Sequence, residues 1–167
     1  MAADNETLAL SVLRHGMGLI VAGLVWGFFI PQTPFPRLAL TAHIQFQAEG
    51  AMILLAGLLL NSKPFPKSDV QVASTLSALQ ARLVRIGAIM VWPILLSEVA
   101  NAWWGTKATL PLLYAAGVPS HWTAEEWQEL VLAVTHYGGS PFIVLAMGIL
   151  LFSLFKGPKI DAASKIK

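Results

Sequence analysis

Four long apolar segments limit what this chain can fold into more than any other feature. Each is close to the roughly 20 residues that an α-helix needs to cross the hydrocarbon of a bilayer. Proline-containing stretches follow three of them and end the helical pattern there. We therefore predict an all-α integral membrane protein, a single domain whose four transmembrane helices form a bundle. The segments cover about 10–30, 38–60, 83–105 and 129–155 of the 167 residues.

The composition supports a membrane protein and excludes several other classes. Only 12% of the residues are charged, whereas soluble domains carry about 25%. No cysteine is present, which excludes disulfides and cysteine metal sites. The net charge is only +2, and neither a basic patch among aromatic residues nor a nucleotide-binding loop occurs. We expect no nucleic-acid partner.

The basic residues predict the orientation of the helices. The N-terminal residues, the loop 61–82 and the tail 156–167 share one side of a four-helix protein, and the loop 106–128 lies on the other. Nine of the 11 basic residues fall on the first side, against Arg37 and Lys107 on the second. Basic residues collect on the cytoplasmic side, so we expect both termini to be cytoplasmic.

Ionisable and amide side chains inside the apolar segments are the candidates for function. Glu49 lies near the middle of the second segment, where a charge costs about 2.5–3.5 kcal/mol. Glu98 and Asn101 lie three residues apart, on one face of the third segment. In the orientation above, the outer half of the bilayer contains a set that we expect to meet in one buried polar pocket: His43, Glu98, Asn101, Glu129 and His136.

Structural explanations compete with function at most of these positions. A glutamate at a segment end, such as Glu129, is commonly interfacial, and His136 can simply hydrogen-bond a neighbouring helix. The tryptophans and Tyr137 can form an aromatic belt. Glu49 is the hardest to explain in this way, because it lies far from both ends of its helix.

The second segment carries polar residues on two of its faces. His43 and Glu49 are six residues apart, which separates them by about 120° around a helix. His43 shares its face with Gln47 and Gly50, and Glu49 shares its own with Gln45. This arrangement predicts a symmetric homo-oligomer in which one helix serves two neighbouring sites.

Several short motifs, in order along most of the chain, resemble one family of small bacterial membrane isomerases. The family is that of the hydroxylaminobenzene mutases, and styrene oxide isomerase is a more distant resemblance. The motifs are HG at 15–16, PRLALTAH at 36–43, EG at 49–50, ANAWWGT at 100–106, WQELVLA at 127–133 and LAMGILL at 145–151.

The resemblance implies a homotrimer in the bacterial inner membrane, with ferric haem b between protomers acting as a Lewis acid. It aligns His43 with the histidine that binds the iron, and we expect Gln47 and Gly50 beside it, the glycine leaving room for the macrocycle. The mutases rearrange an aryl hydroxylamine to an aminophenol. Styrene oxide isomerase rearranges an epoxide to an aldehyde. Neither reaction changes the overall oxidation state.

The same resemblance suggests roles for the remaining polar residues. We expect Glu49 and Glu98 to be catalytic, with Glu49 as an acid/base, and Asn101 to orient the substrate heteroatom. Trp103 and Trp104 would form an apolar wall for a small aromatic substrate. The epoxide isomerase has asparagine at the position of Glu49 and a tyrosine soon after the position of Asn101, where this chain has tryptophans. These differences favour the mutase reaction.

Two other classes of function remain open. A b-type cytochrome would need two axial histidines, which His43 and His136 could supply. A haem-free membrane carrier would use Glu49 and Glu98 to line a polar path.

Overall fold

All the secondary structure in the residues that the structure describes is helical, which confirms the predicted class. A computed structural model describes residues 2–65, 69–107 and 124–156. Most of the predicted outer loop and of the C-terminal tail lies outside these ranges. The described helices are α1 (Ala2–Gly27), a 3₁₀ turn (Ile30–Gln32), α2 (Pro36–Asn61), α3 (Val72–Thr75), α4 (Ala78–Trp104) and α5 (Glu126–Lys156).

Four of these helices are long and apolar enough to cross a membrane. They agree with the predicted segments to within a few residues at most ends: Thr7–Gly27, Pro36–Asn61, Ala78–Trp104 and Glu126–Lys156. Helix α4 begins about five residues earlier than predicted, because Ser77 and Gln80 form a capping box that satisfies free backbone groups of its first turn. Residues before Ser77 form the separate helix α3 instead of extending α4.

Helices α1 and α2 form one close pair and α4 and α5 another. A Cβ atom on Gly16 would lie 2.4 Å from the backbone nitrogen of Leu54, and one on Gly87 would lie 2.5 Å from the Cβ of Ala146. Small residues allow helix backbones to approach this closely in membranes. The pairs meet mainly where α2 packs on α4, and α2 and α5 touch at only a few positions.

Within the part of the chain that the structure describes, two apolar clusters stabilise the bundle. The larger one joins α1, α2, α4 and α5 and includes Leu19, Phe46, Ile53 and Leu95. The smaller one is built around Trp26, whose indole nitrogen donates to the carbonyl of Ala39 at 2.9 Å. Glu98 and Asn101 are buried towards the C-terminal end of α4.

Candidate functional site

Helices α4 and α5 hold a carboxylate and an imidazole in contact inside the bundle. Glu98 is 1% exposed, and its Oε1 lies 2.8 Å from Nε2 of His136. The approach is short but is not aligned as a regular hydrogen bond, so we describe it as an ion-pair contact. The other ring nitrogen, Nδ1, lies 2.9 Å from the carbonyl of Leu132.

These contacts bring two groups that can carry a proton together. A backbone carbonyl can only accept a hydrogen bond, so Nδ1 of His136 donates to Leu132. Nε2 faces Oε1 of Glu98, so a proton can pass directly between the imidazole and the carboxyl in the interior of the bundle.

Asn101 fixes the position of Glu98 and the end of helix α4. Its Nδ2 lies 3.4 Å from Oε2 of Glu98. Its Oδ1 accepts from the backbone nitrogen of Thr106 at 2.8 Å and from the Thr106 hydroxyl at 2.7 Å. In this arrangement the amide of Asn101 orients a carboxylate of its own helix, whereas the sequence predicts that it orients substrate.

Helix α2 adds Glu49 to the same place. Glu49 is close enough to both Glu98 and His136 for their charges to interact. Its Oε2 is buried without a hydrogen-bond partner, and so is Oε1 of Gln45, one turn earlier. We call Glu49, Glu98 and His136 the acid–base cluster. Glu49 lies near Glu98 and His136 of its own chain, whereas the two-faced helix predicts a role in a neighbouring site.

His43 faces helix α1, away from Glu49. Its Nδ1 lies 2.8 Å from the carbonyl of Gly23, so Nδ1 donates and Nε2 is left as the basic nitrogen. A histidine whose Nδ1 is held by a carbonyl in this way presents Nε2 to a metal in a fixed orientation. Gln47, on the same side of α2, donates to the carbonyl of Ile20 at 3.2 Å.

The surroundings of His43 are compatible with a haem ligand, but there is no room beside Gly50 for the expected macrocycle. A Cβ on Gly50 would lie 3.0 Å from the backbone nitrogen of Ile20 and 3.1 Å from the carbonyl of Gly16. Helix α1 occupies the space that we predicted for a macrocycle, so that part of the prediction is wrong. Within the described residues, no three His, Asp or Glu side chains are grouped to hold a metal alone. Iron at His43 would therefore need the other ligands that a porphyrin provides.

The two tryptophans at the end of α4 point to different neighbours. The ring of Trp103 lies 5.3 Å from that of Trp26 on α1. The ring of Trp104 lies 5.3 Å from that of Trp127 on α5. They join the C-terminal end of α4 to both neighbouring helices, so they do not form the predicted single wall.

Two polar contacts are absent from the sequence predictions. The hydroxyls of Ser97 and Thr135 lie 2.8 Å apart and make a second bridge between α4 and α5, beside the acid–base cluster. His15 accepts a hydrogen bond from the indole of Trp92 at 3.1 Å. A polar atom inside an apolar segment is the only signal for either contact, and it does not identify the partner.

Comparison with families of known proteins gives a match over most of the chain. A family model described as styrene oxide isomerase matches residues 8–155, which includes every residue of the acid–base cluster and His43. Neither the curated proteins nor the solved structures give a significant match.

Proposed function

The chain belongs to the styrene oxide isomerase family and is a membrane isomerase, and we propose that it rearranges an aryl hydroxylamine to an aminophenol within the bilayer. The observation that carries this proposal is the acid–base cluster. Three helices bring two carboxyls and an imidazole together in an apolar interior, at the substantial cost that intramembrane ionisable groups impose.

The rearrangement requires groups that move protons. The N–O bond breaks, a C–O bond forms at the ring, and the ring carbon loses a proton while nitrogen regains one. Substrate and product have the same composition, so a proton must leave one atom and return at another. Glu98 and His136 lie 2.8 Å apart and can pass a proton between them, and Glu49 lies near them as a second carboxyl. A positioned acid/base pair of this kind contributes typically about 10²–10⁴-fold in rate.

His43 would hold ferric haem b through Nε2, because Nδ1 is engaged by Gly23. When bound, the haem supplies a Lewis acid that polarises the bond to be broken. His43 and the acid–base cluster are on different faces of α2, so cofactor binding and proton transfer are carried by separate residues.

Rearrangement of an aryl epoxide to an aldehyde is the second candidate, favoured by the name of the matching family. In that reaction a C–O bond opens and a hydride moves to the adjacent carbon. No proton has to be relocated. The acid–base cluster therefore has a defined role, proton transfer, in the hydroxylamine reaction, whereas the epoxide reaction does not require one.

The activity test compares both substrates on one preparation. Wild-type protein in liposomes with added haem is given phenylhydroxylamine or styrene oxide, and products are separated by chromatography. Aminophenol as the main product supports the proposal, whereas phenylacetaldehyde as the main product supports the second candidate. Absence of both products would refute the reaction class for these substrates.

The haem test measures visible absorption of three variants. We expect His43→Ala to lose or shift the Soret band, and His15→Asn, which keeps an acceptor for Trp92, to retain it. His136→Gln tests the cytochrome alternative and should also retain the band, because both ring nitrogens of His136 are engaged by protein groups. A wild type without stoichiometric haem would refute the role of His43.

We also propose that the protein is a homotrimer with cytoplasmic termini. The chain has no cysteine, so single cysteines at the exposed positions Asp69 and Glu125 can report sidedness. A membrane-impermeant thiol reagent added outside intact cells should label Glu125→Cys and not Asp69→Cys. Light scattering of the purified protein, corrected for detergent, measures the number of protomers.

A further inference from the structure

An open groove separates helices α2 and α5 on the side of the bundle away from α1. The two helices touch at only a few positions, and the space between them is about 490 Å³. For comparison, a cavity of about 150 Å³ accepts benzene. The wall of the groove is apolar and includes Ala48, Met52 and Leu55 from α2, and Met147, Leu150 and Leu154 from α5.

Polar atoms lie just beyond the outer end of this groove. Gln45, Glu49 and Met52 follow each other at spacings of four and three residues, so they share one face of α2. On α5, His136 and Met147 are 11 residues apart and share a face in the same way. Towards the outer side of the membrane, the α2 face changes from apolar groove to polar residues next to the acid–base cluster.

Two of the buried atoms without a hydrogen-bond partner lie at that end, Oε1 of Gln45 and Oε2 of Glu49. Oε1 of Gln45 is an acceptor, and Oε2 of Glu49 accepts when the carboxyl is ionised. Leaving a buried acceptor without a donor costs about 1–3 kcal/mol. A ligand with N–H or O–H groups at this point would remove that cost, whereas a lipid acyl chain would fill the groove without supplying a donor.

We propose that the α2–α5 groove binds a flat apolar molecule whose N–H or O–H donors meet Gln45 and Glu49, and that the molecule enters sideways from the bilayer. An aryl hydroxylamine has both donors, whereas an epoxide has only an acceptor. The link to catalysis rests on the proposed function, but binding in the groove does not.

The first experiment locates binding without relying on turnover. The probe is an aniline with an aryl diazirine, photolysed with the full chain in liposomes and mapped by mass spectrometry. We expect labels on the groove residues of α2 and α5. Ala48→Phe, which places a ring in the groove, should reduce labelling about tenfold, equivalent to 1.4 kcal/mol. Val144→Phe is the matched control, because Val144 is 70% exposed on α5 outside the groove.

The second experiment tests the donor requirement. Phenylhydroxylamine should compete with the probe at least as well as aniline, and ethylbenzene, which has no donor, about tenfold less well. In Gln45→Leu this preference should shrink while groove labelling persists. This variant keeps the proposal testable if Ala48→Phe does not fold.

The outcomes separate this proposal from the proposed function. Labels elsewhere, equal labelling of Ala48→Phe and Val144→Phe, or equal competition by ethylbenzene would overturn it. Cross-links between two copies across the groove would also overturn it, because a second copy would then be the occupant. Groove labelling in a protein without isomerase activity would support the binding site and count against the reaction.

Discussion

The contact between Glu98 and His136 makes a quantitative prediction about stability. Replacing His136 with leucine leaves Oε1 of Glu98, in a residue that is 1% exposed, without its ion-pair partner. Removing one member of a buried ion pair typically costs about 3–5 kcal/mol. The His136 side chain is 23% exposed, so we expect the lower end, about 3 kcal/mol of unfolding free energy.

The reverse replacement should cost less. In Glu98→Met, the imidazole keeps its hydrogen bond to Leu132 and can remain neutral, so we expect a loss of about 1–2 kcal/mol. The double variant Glu98→Met, His136→Leu removes both polar groups together and keeps similar volume. Such replacements are often neutral or stabilising, so it should lie within about 1 kcal/mol of the wild type and give a coupling of at least about 3 kcal/mol.

The assay is reversible unfolding in mixed detergent micelles, followed by far-ultraviolet circular dichroism as the fraction of sodium dodecyl sulfate increases. Glu126→Met, at an exposed position of the first turn of α5, is the control and should change stability by less than about 0.5 kcal/mol. If the double variant loses the sum of the two single losses, the contact has no energetic coupling. The reasoning that treats it as one unit would then be refuted.

Three further predictions follow from single residues. Glu49→Gln should lower turnover by about 10²-fold or more while the Soret band is retained; full turnover would remove Glu49 from any acid/base role. Gly16→Ala should destabilise the protein by about 1–3 kcal/mol, because its Cβ would lie 2.4 Å from backbone. Gly148→Ala, with nothing within 4 Å, should be neutral or slightly stabilising in the same unfolding assay. Asn101→Leu should cost about 1–3 kcal/mol because two donors of Thr106 lose their acceptor, and an unchanged unfolding midpoint would contradict the capping role.

The transmembrane helices were predictable because hydrophobicity over about 20 residues depends only on local composition. The pairing of Glu98 with Asn101 was also predictable from local sequence, because residues three apart on a helix are neighbours. The different directions of Trp103 and Trp104 can also be predicted from the sequence, because adjacent residues on a helix do not face each other. The prediction that both form a single wall neglects this.

The group that packs against Gly50 could not be predicted from the sequence of its own helix. A glycine on a helix face leaves a space, and the sequence does not say whether a cofactor or another helix fills it. The structure fills it with Gly16 and Ile20 of helix α1. The same holds for His43, whose carbonyl partner on Gly23 depends on how α1 crosses α2.

The sequence alone thus determined that the chain is helical, that four helices cross a membrane, and which ionisable residues lie inside it. Only the tertiary structure decided which of those residues meet. Glu98 and His136 are 38 positions apart, and their contact depends on the rotation and depth of α5 against α4, which packing at Gly87 and Gly139 sets. Local hydrophobicity does not predict how one helix is rotated against another, because an apolar side chain is equally stable against lipid and against protein. Close packing between the helices sets the rotation instead.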